Sequence, residues 1–256
     1  VVAFGCFCEF RKDNINDLID EEIILGTKNK TKVLKCIKDY EMNHERIILF
    51  DDSKEDVFED MEIKKYEHHH RAFIKIEDGC NNFCSYCIIP YVRGRVRSKD
   101  FNKCIIEVND LALSGHKEIV LSGIHTGQYN SDNKRLADLI NEISKVDQIK
   151  RIRLSSVEIV ELDDKMMDII KNNKKFVSHL HIPLQAGCDK TLKAMNRRYD
   201  LEYFTDKVNT IRSLRPNISL TTDVIVGFPG ETEEDFEDTL NYCKQIGFAK
   251  IHVFPY

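Results

Sequence analysis

The chain has no apolar stretch of about eighteen residues, the length that spans a bilayer, and no charged-then-apolar leader. A membrane partner and secretion therefore lack support, and the expected location is the cytoplasm. A positive balance is missing too: the formal net charge is −5, which gives no general reason to expect nucleic acid. Disulfide scaffolding is disfavoured in turn, because nine cysteines without secretory signs belong to a reducing compartment, where clustered thiols more often bind metal. Six of them, at positions 6, 8, 36, 104, 188 and 243, are scattered and read singly as small buried hydrophobes. What is present is enough apolar content, 42% of 256 residues, for one sizeable core and a small second unit.

The other three cysteines are not scattered. Gly79-Cys80-Asn81-Asn82-Phe83-Cys84-Ser85-Tyr86-Cys87 sets them four and three residues apart, directly after the strand-like run Ala72-Phe73-Ile74-Lys75-Ile76. Structural zinc is closed by four ligands. Three thiolates on a four-iron cluster instead leave one iron open to a further ligand, such as a cofactor.

Net charge hides a local excess: Arg93, Arg95, Arg97, Lys99 and Lys103 stand against Asp100 alone. Such a run holds phosphates or lies as a solvated face. The acidic run Glu231, Glu233, Glu234, Asp235, Glu237 and Asp238 reads as structural, since acids in a first helical turn complement the helix dipole and Thr232 caps it.

From residue 72 onward β-rich runs alternate with helical periods, the pattern of parallel strands joined by crossover helices. Strands are expected near 72–77, 117–122, 149–155, 178–183, 218–226 and 250–254. Leu201, Phe204, Val208, Ile211 and Leu214 make one helix face, with Asp200 as cap and Pro216 as stop; Leu136, Leu139, Ile140, Ile143 and Val146 make another. In such folds chemistry gathers at the carboxyl ends of the strands. The cysteine loop sits at one such end, and Ser122-Gly123-Ile124-His125, Ser155-Ser156, Gln185-Ala186-Gly187 and Gly227-Phe228-Pro229-Gly230 sit at others. Small residues there let backbone approach a ligand, or simply punctuate loops.

Residues 1–66 differ in texture. Val1-Val2-Ala3-Phe4 reads as a strand ending in Gly5-Cys6, Lys32 to Tyr40 as a short helix, and Glu41 to Lys65 as charged and irregular. The boundary falls near Tyr66-Glu67-His68-His69-His70, whose histidines read as a solvated linker without the spacing that aims imidazoles at one ion. The chain opens on Val1 and stops at Tyr256 just after an apolar run, which reads as a fragment.

The cysteine spacing, with Tyr86 immediately before the third thiol, resembles the cluster loop of the radical S-adenosylmethionine superfamily. The likeness narrows over Arg71-Ala72-Phe73-Ile74-Lys75-Ile76, Ile88-Ile89-Pro90-Tyr91-Val92-Arg93-Gly94-Arg95, Arg153-Leu154-Ser155-Ser156-Val157-Glu158, His179-Leu180-His181-Ile182-Pro183-Leu184-Gln185, Met195-Asn196-Arg197-Arg198-Tyr199 and Thr222-Asp223-Val224-Ile225-Val226-Gly227-Phe228-Pro229-Gly230-Glu231. Together these segments resemble the methylthiotransferases, which replace a C–H bond by a methylthio group. Gly123-Ile124-His125-Thr126-Gly127-Gln128-Tyr129 is most similar to the branch that acts on N6-threonylcarbamoyladenosine beside the tRNA anticodon.

The resemblance implies an α/β fold: a partial (βα)6 radical-SAM barrel over 67–256, preceded by the remnant of a small α/β amino-terminal domain over 1–66. An RNA-binding β-barrel follows the core in family members. Two 4Fe-4S clusters and S-adenosylmethionine are implied as cofactors, and tRNA and an electron donor such as a flavodoxin or ferredoxin as partners. Cys80, Cys84 and Cys87 are implied as ligands of the cluster that cleaves the cofactor. Cys6 is implied as one ligand of the auxiliary cluster, whose other cysteines would precede Val1. Tyr86, Ser122, Gly123, Ser156, Gln185 and Arg198 are implied at the S-adenosylmethionine site, His125 and Gln128 at the substrate base, and Arg93, Arg95 and Arg97 on the tRNA backbone, where they position without reading sequence. No catalytic residue is assigned beyond the cluster, since radical chemistry belongs to the cofactor.

Other acceptors within the family are N6-isopentenyladenosine and a ribosomal-protein aspartate. A reading from a different class is a zinc-stabilised RNA-binding module closed by the three cysteines and a histidine. That module leaves the small residues at successive strand ends unexplained.

Overall fold

In the computed structural model the described residues are 1–17, 22–51, 57–67 and 69–256. They fall into two units, Val1–Met61 with Asp78–Phe83 and Cys87–Arg97, and Glu62–Glu77 with Cys84–Tyr86 and Ser98–Tyr256.

The first unit is built on three short parallel strands in chain order, β1 (Val2–Phe4), β2 (Ile23–Leu25) and β3 (Ile47–Leu49). Helices α1 (Cys6–Phe10), α2 (Val33–Asn43) and α3 (Ile89–Val92) complete it. Ile23, Leu25 and Cys36 pack with Val33, Ile37, Tyr40, Ile47 and Leu49, and Cys8 with Ile24, Ala3, Ile15 and Phe50. One expectation is corrected: Glu41 to Lys65 is not wholly irregular, because Ile47–Leu49 pairs in register with the buried central strand β2. The helix expected to end at Tyr40 continues to Asn43, where His44 closes it in the left-handed conformation at φ 55°. In the linker, His69 and His70 are exposed, and His68 lies outside the described residues.

The second unit carries all six expected strands. They are β4 (Arg71–Lys75), β5 (Glu118–Ser122), β6 (Arg151–Leu154), β7 (His179–His181), β8 (Ser219–Val226) and β9 (Lys250–Pro255). β4, β5 and β6 pair in parallel, as do β7, β8 and β9. A parallel bridge between Ile152 and Phe176 joins the two groups, with the Val177 amide donating to the Ile152 carbonyl at 3.1 Å. The strands thus run in chain order, as the expected partial barrel of an α/β fold requires.

Helices α4 (Phe101–Leu113), α5 (Leu136–Ile143), α6 (Asp164–Asn172), α7 (Asp189–Ala194), α8 (Leu201–Leu214) and α9 (Glu233–Ile246) return the chain between strands. Their starts are written locally. Asp200 accepts the Tyr203 amide at 2.9 Å at the head of α8, and Thr232 and Asp235 cap each other reciprocally at the head of α9. Each cap satisfies donors that water would otherwise have to serve. Ile74, Ile119, Leu121, Ile152, Leu180, Leu139, Ile140, Phe204, Val208 and Ile211 are fully buried between strands and helices. Each such side chain stabilises the fold by about 1.5–3 kcal/mol.

At the amino-terminal end of the first three strands, Glu118 of the central strand β5 faces Arg71 and Arg151 in register. Its carboxylate binds the Nε of Arg71 at 3.0 Å, of Arg151 at 2.7 Å and of Arg153 at 2.9 Å. One acid therefore ties three strands together.

Candidate functional site

All nine cysteines are reduced, and Cys80, Cys84 and Cys87 are half-buried. Cys80 and Cys87 belong to the first unit and Cys84 to the second.

In the first unit the loop is bent by its glycines. Gly79 has φ +87°, and a Cβ there would lie 2.1 Å from the Arg95 carbonyl oxygen, so only glycine fits. The Cys80 amide donates to the Gly94 carbonyl at 3.2 Å, and the Asn82 amide points at the Cys80 sulfur at 3.4 Å. Arg95 is exposed and stacks over Phe83 with its guanidinium 4.7 Å from the ring centre. Arg93 turns inward: its Nε donates to the Cys6 sulfur at 3.1 Å and its Nη1 to Asp78 at 3.1 Å. Burial disfavours the Arg93 charge, but Asp78 and the Cys6 sulfur together hold its pKa above the ordinary value.

Arg97 corrects an expectation. Its side chain is 4% exposed, and its Nη1 donates to the carbonyls of Arg93 at 2.6 Å and Arg95 at 3.1 Å, while Nη2 faces Asp78 at 3.6 Å. A guanidinium engaged in closing its own loop is withdrawn from external phosphates. Lys99 of the same basic run is also internal, paired with Glu107 at 2.6 Å. The basic run is therefore partly structural wiring.

In the second unit, Cys84 is held from below. Ser85 donates through its amide to Met195 at 3.1 Å and through its hydroxyl to Ala194 at 2.9 Å, anchoring the loop on the end of α7. The same turn presents Arg197, whose Nη1 lies 3.4 Å from both the Cys84 sulfur and the Tyr86 hydroxyl. Its Nη2 pairs with Glu158, its Nε donates to the Tyr199 hydroxyl at 3.2 Å, and its guanidinium lies 5.0 Å from the Tyr199 ring centre. Arg198, the residue expected at the cofactor site, is exposed, and its neighbour Arg197 occupies the interior instead. Adjacent arginines point to different sides of the chain, and only the fold decides which enters. Burial pushes the Tyr86 phenol well above its ordinary pKa, more than Arg197 lowers it, so Tyr86 stays protonated.

At the neighbouring strand ends, Gly123 makes room for Glu77: a Cβ at 123 would sit 2.7 Å from the Glu77 carboxylate. That fully buried carboxylate accepts the His125 amide at 2.6 Å. His125 is buried, and its Nε2 meets Glu161 at 3.1 Å, with Gln128 Nε2 on the same oxygen at 3.4 Å. Burial would raise the Glu161 pKa, but the His125 bond and charge outweigh it and hold the carboxyl below its ordinary value. The two residues expected at the substrate base thus converge on one acid. Ser122 and Ser156 are half-buried at the ends of β5 and β6, where the Thr126 hydroxyl binds the Ser156 carbonyl, and the buried Ser155 hydroxyl lacks a partner among the described residues. Gln185 adopts φ 71° while its backbone stays paired with β8, donating to Asp223 and accepting from Ile225, each at 2.8 Å.

Across β7, β8 and β9 one face carries a polar chain. His179 Nε2 and His181 Nδ1 meet the Thr221 hydroxyl at 3.1 and 3.0 Å, and His181 Nε2 and His252 Nδ1 meet the two Asp223 oxygens at 3.0 and 3.1 Å. The ligand atoms of His181, Asp223 and His252 lie within 4.8 Å of one another. Glu77, Glu158, Glu161 and Arg197 were not singled out from sequence. An acid at the end of an otherwise apolar strand was the available signal for Glu77.

The residues present fit an iron–sulfur group in their chemistry: three reduced thiols in one short loop, two of them facing N–H groups through sulfur, as such clusters use. The unpartnered Ser155 hydroxyl suits a polar ligand at the strand ends.

Fold and site define an α/β partial barrel with a cysteine loop after its first strand. The family model described as the Radical SAM superfamily matches residues 74–243, and the chain belongs to that superfamily. Along its whole length the chain is 40% identical to the threonylcarbamoyladenosine tRNA methylthiotransferase MtaB of Bacillus subtilis, of which it covers 58%. It is 39% identical, over 92% of its length, to the tRNA-2-methylthio-N(6)-dimethylallyladenosine synthase of Carboxydothermus hydrogenoformans, of which it covers 54%. It thus spans little more than half of each of these relatives. Among solved structures, the radical S-adenosylmethionine methyltransferase TsrM from Kitasatospora setae, with cobalamin and a 4Fe-4S cluster bound, matches 72% of this chain and 36% of its own at a TM-score of 0.60 and 16% identity. Apo OxsB, a cobalamin-dependent S-adenosylmethionine radical enzyme, matches 94% of this chain and 42% of its own at a TM-score of 0.59 and 12% identity. These two likenesses concern the fold alone.

Proposed function

We propose that this chain carries the catalytic core of a radical-SAM tRNA methylthiotransferase that places a methylthio group on carbon 2 of N6-threonylcarbamoyladenosine next to the anticodon. The observation that supports this most is the three-cysteine loop after the first of six parallel strands, in a chain alike from end to end to a threonylcarbamoyladenosine methylthiotransferase. A 4Fe-4S cluster on Cys80, Cys84 and Cys87, with S-adenosylmethionine at its open iron, would supply the carbon radical that removes hydrogen from an unreactive C–H bond.

The chain's own residues bind and orient. Ser122 and Gly123 meet the methionine amino group, Ser156 and Gln185 the remaining polar groups of the cofactor, and the neutral Tyr86 hydroxyl with the adjoining backbone lies against adenine. Arg198 remains a candidate from the exposed side of its loop. His125 and Gln128, fixed by Glu161, carry the adenosine-facing loop, and the exposed Arg95 meets the RNA backbone, with Arg93 and Arg97 bracing the loop that carries it. Cys6 serves an auxiliary cluster as one ligand. Residues 1–66 belong to the methylthiotransferase amino-terminal domain and 67–256 to the radical core. A cytoplasmic location and a flavodoxin or ferredoxin donor complete the reading.

A sample reconstituted anaerobically with iron and sulfide should bind iron and absorb broadly in the visible, and Cys84→Ala should lose most of that iron. Stoichiometric zinc with no bound iron would sink the proposal. The similarity to dimethylallyladenosine enzymes favours N6-isopentenyladenosine as the second acceptor. Nucleoside mass spectrometry of tRNA from cells lacking the protein separates the two. Unchanged 2-methylthio-N6-threonylcarbamoyladenosine defeats the preferred acceptor.

A further inference from the structure

The side chain of Arg197 is 3% exposed. Its bonds go to side-chain groups at the candidate site: the Cys84 sulfur, the Tyr86 hydroxyl, Glu158 and the Tyr199 hydroxyl, with a long contact of 3.5 Å to the Pro183 carbonyl. Glu158 fixes one edge of the planar fork and Tyr199 covers its face, so the remaining N–H is aimed rather than free to swing. Paired with Glu158, the guanidinium is a cation, as arginine is throughout proteins.

We propose that Arg197 is a positioning residue that fixes the Cys84 sulfur through an N–H···S bond and raises the reduction potential of a cluster bound there, with Glu158 holding the guanidinium in place. This rests on the reading of Cys84 as a cluster ligand. One-electron reduction adds a negative charge shared by the cluster and its sulfurs. A cation and a hydrogen-bond donor on one of those sulfurs stabilise the reduced state more than the oxidised one, particularly where water is excluded. Removing them should make the cluster harder to reduce.

The test uses the full chain reconstituted anaerobically, in the wild type, Arg197→Lys, and Arg197→Gln combined with Glu158→Gln, which removes both charges together so that no carboxylate is left buried alone. Redox titration followed by electron paramagnetic resonance reads the midpoint, and resonance Raman reads the iron–cysteine stretch. The double variant leaves the net charge unchanged and so reads the lost N–H···S donor: the reduced-to-oxidised ratio at a fixed ambient potential should fall about tenfold, a shift of about 59 mV to lower potential. The iron–cysteine stretch should rise, because a sulfur relieved of its hydrogen bond binds iron more tightly. Arg197→Lys, which keeps the charge but loses the fork, should fall between, and serves alone if the double variant does not fold. Full iron content with an unmoved potential and an unmoved stretch overturns the role of Arg197 and leaves the cluster reading standing. A wild type that takes up no iron, or a Cys84→Ala variant that keeps it all, overturns the cluster reading and this inference with it.

Discussion

Replacing Glu118 by Gln leaves three guanidinium groups on neighbouring strands without the acid that joins them. The shape of the side chain is kept, but the amide accepts on one oxygen and turns an N–H toward arginine donors. The cost follows from exposure. Arg71 and Arg151 are 47% and 61% exposed, so their pairs count as surface pairs; together they contribute about 1 kcal/mol. Arg153 is 24% exposed against a carboxylate that is 4% exposed. Its pair stands between the surface range and the ~3–5 kcal/mol for breaking a fully buried pair, at about 2 kcal/mol. The sum of about 3 kcal/mol lowers the thermal midpoint of a chain of this size by roughly 6–12 °C. Burial alone would raise the Glu118 pKa, but the three arginines outweigh it and hold it below the ordinary 4.5. A depressed folded-state pKa means that the stabilisation is complete above pH 4.5 and is lost as the pH falls through the lower folded value. Thermal melts by circular dichroism from pH 7 to pH 3 should therefore show a wild-type midpoint falling below pH 4.5 more steeply than that of Glu118→Gln. A variant within about 2 °C of wild type at pH 7 and parallel to it in acid would refute the clamp.

Gly127→Ala places a Cβ 2.5 Å from the Glu161 Cβ and 2.7 Å from its Cγ. Such overpacking costs about 1–3 kcal/mol; the expected outcome is a lower melting midpoint and a His125 ring resonance that loses its carboxylate partner, and a variant with both unmoved would refute the contact. Phe204→Ala empties a fully buried position on α8. A loss of about 3–5 kcal/mol is expected in urea denaturation, and a loss below about 1 kcal/mol would show that the helix face does not pack as described.

The second unit was legible because its signals are long. Six strands appear where apolar runs were bounded by turn residues, and α8 begins just after Asp200 because a cap and a hydrophobic period agree. The first unit was less so. Ile23–Leu25 and Ile47–Leu49 are three residues each, too short for a period to show, and the second is embedded in charge. At the site, the cysteines and the small strand-end residues were readable because their spacing is local. Arg197 was not, since nothing in Asn196-Arg197-Arg198-Tyr199 tells which guanidinium enters and which leaves. Arg97 misled for the same reason: a basic run looks alike whether its groups meet solvent or, as here, the carbonyls of Arg93 and Arg95.

The row of hydrogen bonds from His179 through Thr221, His181 and Asp223 to His252 has a polarity. The Thr221 hydroxyl owns one proton, so when it donates to His181 it must receive from His179, and the opposite assignment reverses both bonds at once. His181 then commits its other nitrogen toward Asp223, whose second oxygen is shared with His252. Because a carboxylate only accepts, that one acid on β8 makes both rings present an N–H to it, and the nitrogen left over on His252 is thereby an acceptor in the neutral ring, open to a donor from outside.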